Sequence, residues 1–207
     1  MTKHFAARIP LILAALVCLA PLAVAAEDPP PLAEMWLFTP YPGKAAELAE
    51  AVRAHGAYRQ EQGDPRGWQV YTPALGEDIG RVGVRFCCMQ WADVDAYHAW
   101  ESQNPAVTKH YFDTVEPLVK RTAHYFERMD WQHSHWNADG GPYKLFAVTE
   151  FRLKVGGGSE FDAARGKMSE IAKEQGWSDR GSSWIWATTV GGAPTEAIVI
   201  PYREVTP

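Results

Sequence analysis

The chain has 207 residues, 46% of them apolar and 12% aromatic, and its 20 Lys+Arg against 25 Asp+Glu give a formal net charge of −5. That length holds one domain or two small ones, and the apolar fraction suffices for a packed core. An acidic surface repels phosphate backbones, which argues against nucleic acid as a partner, and three cysteines are too few for a disulfide scaffold.

The chain begins with a basic stretch carrying Lys3 and Arg8, then an apolar run over residues 9–22, then Ala23-Val24-Ala25 ahead of the charged Glu27-Asp28. The run is too short for a lasting membrane anchor, and the small-x-small pattern is what signal peptidase reads. Residues 1–26 are therefore read as a cleaved signal peptide, with the mature chain beginning at Ala26 or Glu27. The rival reading, a lipoprotein signal at Cys18, needs a small residue before the cysteine, where Val17 stands. Cleavage removes two basic and no acidic residues, leaving 181 residues with a net charge of −7. The expectation is an exported protein, periplasmic or secreted, with no membrane partner after cleavage.

Residues 27–33 form a proline-rich lead-in. A strand is expected over 35–39, closed by Pro40 and Pro42, and a helix over 44–62 that ends at Gly63. Short and long strands follow over 68–72 and 81–91. The long one carries Cys87 and Cys88, which as strand neighbours point to opposite faces; two buried thiols are expected, with a vicinal disulfide as the alternative. Helices are expected over 93–103 and from Asn104-Pro105 onward, with Val107, Tyr111, Val115 and Leu118 as the apolar stripe, and a strand over 122–131. This β-α-β-β-α-β order is ferredoxin-like. Residues 132–142 read as a linker. Then come a strand over 143–153 and a helix over 159–175, which is expected to open on a Ser159/Asp162 capping box and to bury Phe161, Ala164, Met168, Ile171 and Ala172. A hairpin over 183–202 closes the series.

The second stretch repeats the first. Glu61-Gln62-Gly63 recurs as Glu174-Gln175-Gly176, and Trp68 and Trp184 each open the next strand. The domain reading is a first repeat over 34–131, the linker over 132–142 and a second repeat over 143–207 that lacks its last helix and strand. The sequence is accordingly expected to be a fragment, with residues 203–207 at the start of the missing helix.

A tandem ferredoxin-like repeat with Trp/Tyr-rich strands resembles the dimeric α/β-barrel superfamily, in particular its NIPSNAP-type and antibiotic-biosynthesis-monooxygenase-type domains. The resemblance spans roughly residues 34–207 and rests on element order, the repeat and texture. It implies an α+β fold in which tandem ferredoxin-like (βαββαβ) repeats pack their sheets face to face as a dimeric α/β-barrel. The superfamily includes cofactor-free monooxygenases, haem enzymes, isomerases and proteins without known chemistry, so fold alone does not choose a reaction.

Five residues are singled out as a ligand pocket. His55 lies on the apolar side of the first helix, and His110, with Tyr111, lies beside the stripe of a later one. Tyr97 and Trp100 supply further aromatic wall. A pocket histidine is suited to general-base work; the alternative is core histidines and aromatics that only pack. His133-x-His135 has the spacing of two metal ligands, with His124 and Asp130 nearby, but a solvated linker explains it equally, and neither a metal nor a cofactor is expected. No phosphate-binding glycine loop or nucleophile elbow occurs. Catalytic residues are not assigned. The leading function is an exported protein that binds a small aromatic or apolar molecule, with a cofactor-free monooxygenase as its enzymatic form. The alternative is a non-catalytic binding or assembly module that fills the space beneath its helices with Trp68, Trp184 and Trp186. Self-association is a further expectation.

Overall fold

Alternation along β1 (Leu32–Pro40) turns Trp36 and Phe38 to one face of a sheet. There Phe38 packs with Leu48, Ala49 and Val52 of α1 (Ala45–Glu61), Val82 and Val84 of β3 (Val82–Met89), and Val115. The remaining elements are β2 (Gln69–Tyr71), α2 (Trp91–Gln103), α3 (Pro105–Thr114), β4 (Val119–His135), β5 (Leu145–Phe151), α4 (Gly158–Glu174), β6 (Trp184–Val190) and β7 (Glu196–Tyr202). This computed structural model describes residues 29–191 and 195–203. The expected signal peptide, residues 204–207 and most of the 191–194 turn lie outside the described residues, among which no helix is long and apolar enough to cross a membrane.

The fold is α+β. Among the described residues the strands form one seven-stranded sheet in the order β2-β3-β1-β4-β6-β7-β5, and every pairing is antiparallel. The first four strands have the ferredoxin-like arrangement. The last three follow the relative order of β1, β2 and β3, with β7 between β5 and β6. β4 hydrogen-bonds to β6, so the two stretches share one ladder. The sheet curls enough that Tyr71 on one edge strand meets Phe146 on the other, ring centroids 5.5 Å apart. Its concave face carries Ala33, Met129, Ile185 and Ala187. Its convex face is covered by α1 and α3 at one end and by α4 at the other, where Trp184, Trp186 and Ala172 form a third cluster.

Both long helices end alike. Gly63 and Gly176 take positive φ (80° and 68°), a conformation open to glycine. The next residue's N–H then reaches back to the helix, Asp64 to the Arg59 carbonyl and Trp177 to the Ala172 carbonyl.

Five local expectations are corrected. β1 begins at Leu32, inside the stretch read as a lead-in. β4 runs on through His135, so the first four residues of the expected linker are strand; Ser134 accepts the Trp186 N–H and donates to the Asp130 carbonyl, which pairs polar groups that looked solvated. α4 starts one residue earlier, with Gly157 at its N-cap and no side-chain cap, so the Ser159 box does not form. Its buried face is Arg165, Ser169 and Ala172, while Ala164, Met168 and Ile171 are exposed. The helix is turned because Arg165 carries ion pairs to Asp130 of β4 and Glu196 of β7 that hold it inward. Cys87 and Cys88 are joined as a disulfide across a cis peptide bond rather than buried as thiols on opposite faces. Simple alternation fails here because Cys88 is skipped in the β1–β3 register, where Leu32 pairs with Met89 and Ala33 with Cys87.

Candidate functional site

The five residues singled out from sequence fall into two adjoining groups where α1 meets α2 and α3. In the first, His55 is buried and its Nδ1 lies 3.1 Å from His110 Nδ1, so one ring donates and the other accepts. Tyr58 stacks on His110, and Tyr111 meets His55 edge-on. Burial, then the Arg59 guanidinium and His110, push the His55 pKa down from 6.5 to about 4. In the second, the Tyr97 hydroxyl donates to Asp64 Oδ2 at 2.9 Å and accepts from Trp68 Nε1 at 3.1 Å and from Arg59. Trp100 stacks on Tyr97, and Arg59 also reaches Glu101 at 3.0 Å. Burial raises the Tyr97 pKa well above the ordinary phenol value, the Asp64 charge adding to it against Arg59. These groups satisfy one another. A groove of about 470 Å³ runs beside them, lined by Arg53, Gly56, Ala57, Gln60, Gly67, Trp68 and Val70; none of the five lines it.

The His55 shift has a consequence for stability. A histidine whose folded pKa lies below its unfolded value stabilises the fold in its neutral form. That contribution is complete above about pH 6.5 and is lost as pH falls through about 4. Urea midpoints are therefore expected to fall across that window, and His55→Leu is expected to flatten the fall; an unchanged slope in the variant would place the titration elsewhere.

A third constellation lies on the convex face of the sheet, over β1 and β4. His124 stacks on Trp36 with ring centroids 3.8 Å apart and planes 12° from parallel. Its Nε2 lies 2.8 Å from Oε1 of Glu34, a buried carboxylate that also accepts from Trp36 Nε1 at 3.1 Å and is paired with the Arg66 guanidinium. Burial pulls the Glu34 pKa up, but the His124 hydrogen bond and Arg66 outweigh it and hold the carboxyl below the usual range. The imidazole itself stays partly open to solvent. Phe126 and Trp91 continue the aromatic surface, with centroids 5.4 Å from His124 to Phe126 and 5.5 Å from Phe126 to Trp91. A carboxylate bonded to one ring nitrogen fixes the tautomer and aims the other nitrogen outward, which is the arrangement of an oriented base. Sequence reading named His124 only as a possible metal ligand. Its partners Glu34 and Trp36 lie some 90 positions away, and no local spacing signals them.

The His-x-His pair is committed elsewhere. His133 Nδ1 lies 2.7 Å from Asp130 Oδ2, and His135 packs on Trp184. Among the described residues no group of three or more His, Cys, Asp or Glu is placed to hold a metal ion.

No family profile and no curated protein matches this chain. Solved structures do. A candidate monooxygenase from Fusobacterium nucleatum superposes with a TM-score of 0.55 at 10% identity, covering 86% of this chain and 77% of its own. An uncharacterized NIPSNAP domain protein from Burkholderia xenovorans gives a TM-score of 0.39 at 16% identity, over 46% of this chain and 90% of its own. A NIPSNAP family protein from Agrobacterium tumefaciens gives 0.39 at 12%, over 46% and 89%. The class is thus the ferredoxin-like α+β fold, and the particular likeness is to the fold of the Fusobacterium protein.

Proposed function

We propose that the protein is exported and binds a flat small molecule on the aromatic surface around His124. Export is read from residues 1–26. The observation that carries the binding reading is the Glu34–His124 pair laid flat on Trp36. A planar ligand stacks on such a surface, and the outward ring nitrogen accepts a proton from an acidic O–H or C–H beside it. In its enzymatic form the reading is a cofactor-free oxygenase, in which the deprotonated substrate reacts with dioxygen. That reaction is taken by analogy with the candidate monooxygenase that shares the fold, and the fold by itself does not impose it.

The test is a thermal-shift screen of flat aromatic and quinol-like molecules, followed by oxygen uptake on any binder. A ligand at a hundred times its Kd adds about 2.7 kcal/mol to the unfolding free energy. His124→Ala is expected to weaken binding about tenfold through lost stacking and to lower any oxygen-consuming turnover by about a hundredfold or more. Binding that survives His124→Ala unchanged sinks the site.

A second reading, a non-catalytic assembly module, is favoured by a separate observation. Trp184 and Trp186 are buried beneath α4, and Trp68 is bonded into the Asp64–Tyr97 group, so side chains occupy the space under the helices. Ligands that bind without oxygen uptake, or no ligands at all, select it.

A further inference from the structure

The outer face of α4 carries Met168, Ile171 and, just past the helix, Trp177, which are 55%, 46% and 48% exposed. Ala164 is exposed one turn before Met168. Ala164, Met168 and Ile171 are spaced to line one stripe of the helix, and Trp177 follows just past its end, its backbone N–H reaching back to the Ala172 carbonyl. Large apolar side chains grouped in this way mark an interaction surface, whereas single ones do not.

Comparison with α1 identifies what is uncovered. When Gly63 is set on Gly176, His55 falls on Met168, Tyr58 on Ile171 and Asp64 on Trp177. All three of these residues are capped by α2 and α3: His55 and Tyr58 pack on His110, and Asp64 accepts from Tyr97. At the same three places α4 has apolar side chains, and the described residues put no helix over them. The first surface is polar and internally paired, and the second has the character of a contact between molecules.

The charges beside the stripe indicate the occupant. Lys167 and Glu174, both exposed, lie two turns apart on the same flank. In an antiparallel helix pair each flank meets its own counterpart, so Lys167 of one copy faces Glu174 of the other, twice, by symmetry. A surface whose charges complement themselves under a two-fold axis is an isologous one. We propose that α4 is a self-association surface, on which two copies of this chain pair antiparallel through Met168, Ile171 and Trp177. The proposal is independent of the small-molecule reading.

Sedimentation velocity of the purified chain over the micromolar range tests it, with a concentration-dependent monomer–dimer equilibrium as the expected result. Ile171→Glu is expected to leave only monomer with an unchanged circular dichroism spectrum. Lys167→Glu or Glu174→Lys alone turns two attractive pairs repulsive and is expected to weaken the dimer about tenfold, and the double swap is expected to restore it. Both swaps are on exposed side chains, so they decide the matter even where Ile171→Glu fails to fold. A monomer throughout, as expected if another protein or another part of the chain covers the stripe, overturns the proposal. So does a dimer indifferent to the charge swaps.

Discussion

Replacing Arg66 with methionine is expected to cost about 3–5 kcal/mol of stability, because it strands the Glu34 carboxylate without its counter-charge. The side chains of the pair are 4% and 7% exposed. The guanidinium also lies 3.5 Å from the centre of the Tyr97 ring, and the Arg66 N–H donates to Asp64 at 2.8 Å, which ties the pair to the α1–α2 group. Chemical denaturation measures the loss. Glu34→Gln combined with Arg66→Met is expected to recover part of it, since a neutral amide is cheaper to bury than an unpaired carboxylate. A loss below about 1 kcal/mol would mean that water reaches the pair. The same substitution loosens the carboxylate that aims His124, so ligand binding is expected to weaken with it.

Trp186→Ala is expected to cost about 3–5 kcal/mol, the range for removing a large aromatic from a core. Trp186 is 1% exposed, with the rings of Phe151 and Phe161 about it and its Nε1–H donating to Ser169 Oγ at 3.1 Å. Truncation opens a cavity under α4 and leaves the buried Ser169 hydroxyl without that donor. Thermal or urea unfolding gives the number, and a cost under about 2 kcal/mol would show that α4 settles into the gap.

Local signals carried most of the fold. The stripe of Leu48, Val52 and His55 and the glycine at 63 mark α1 to within a residue at either end, and Val107 and Val115 are buried as their spacing implies. Periodicity misled where polar residues are buried by partners far along the chain. Arg165 looks like a surface residue until Asp130 and Glu196 are beside it, and the Gln-His-Ser-His stretch looks like a linker until Trp186 is paired with Ser134. The candidate site was less legible for the same reason. His55 and His110 were visible at or beside apolar stripes, but their commitment to each other was not. His124 stands out only as a neighbour of other histidines, while what orients it is a carboxylate 90 residues away, brought alongside by the pairing of β1 with β4.

β4 is bonded along one side to β1 and along the other to β6, and it is 17 residues long. A strand so placed makes the molecule hard to divide. Cutting the chain after β4 would bare the edge that β6 now covers, and cutting before it would take from β1 the strand it pairs with. Neither stretch keeps a closed set of backbone partners by itself, and an exposed ladder of N–H and C=O groups invites pairing with other chains. Loss of order at either end therefore travels through one shared strand to the other, and melting should proceed as a single cooperative event rather than as two.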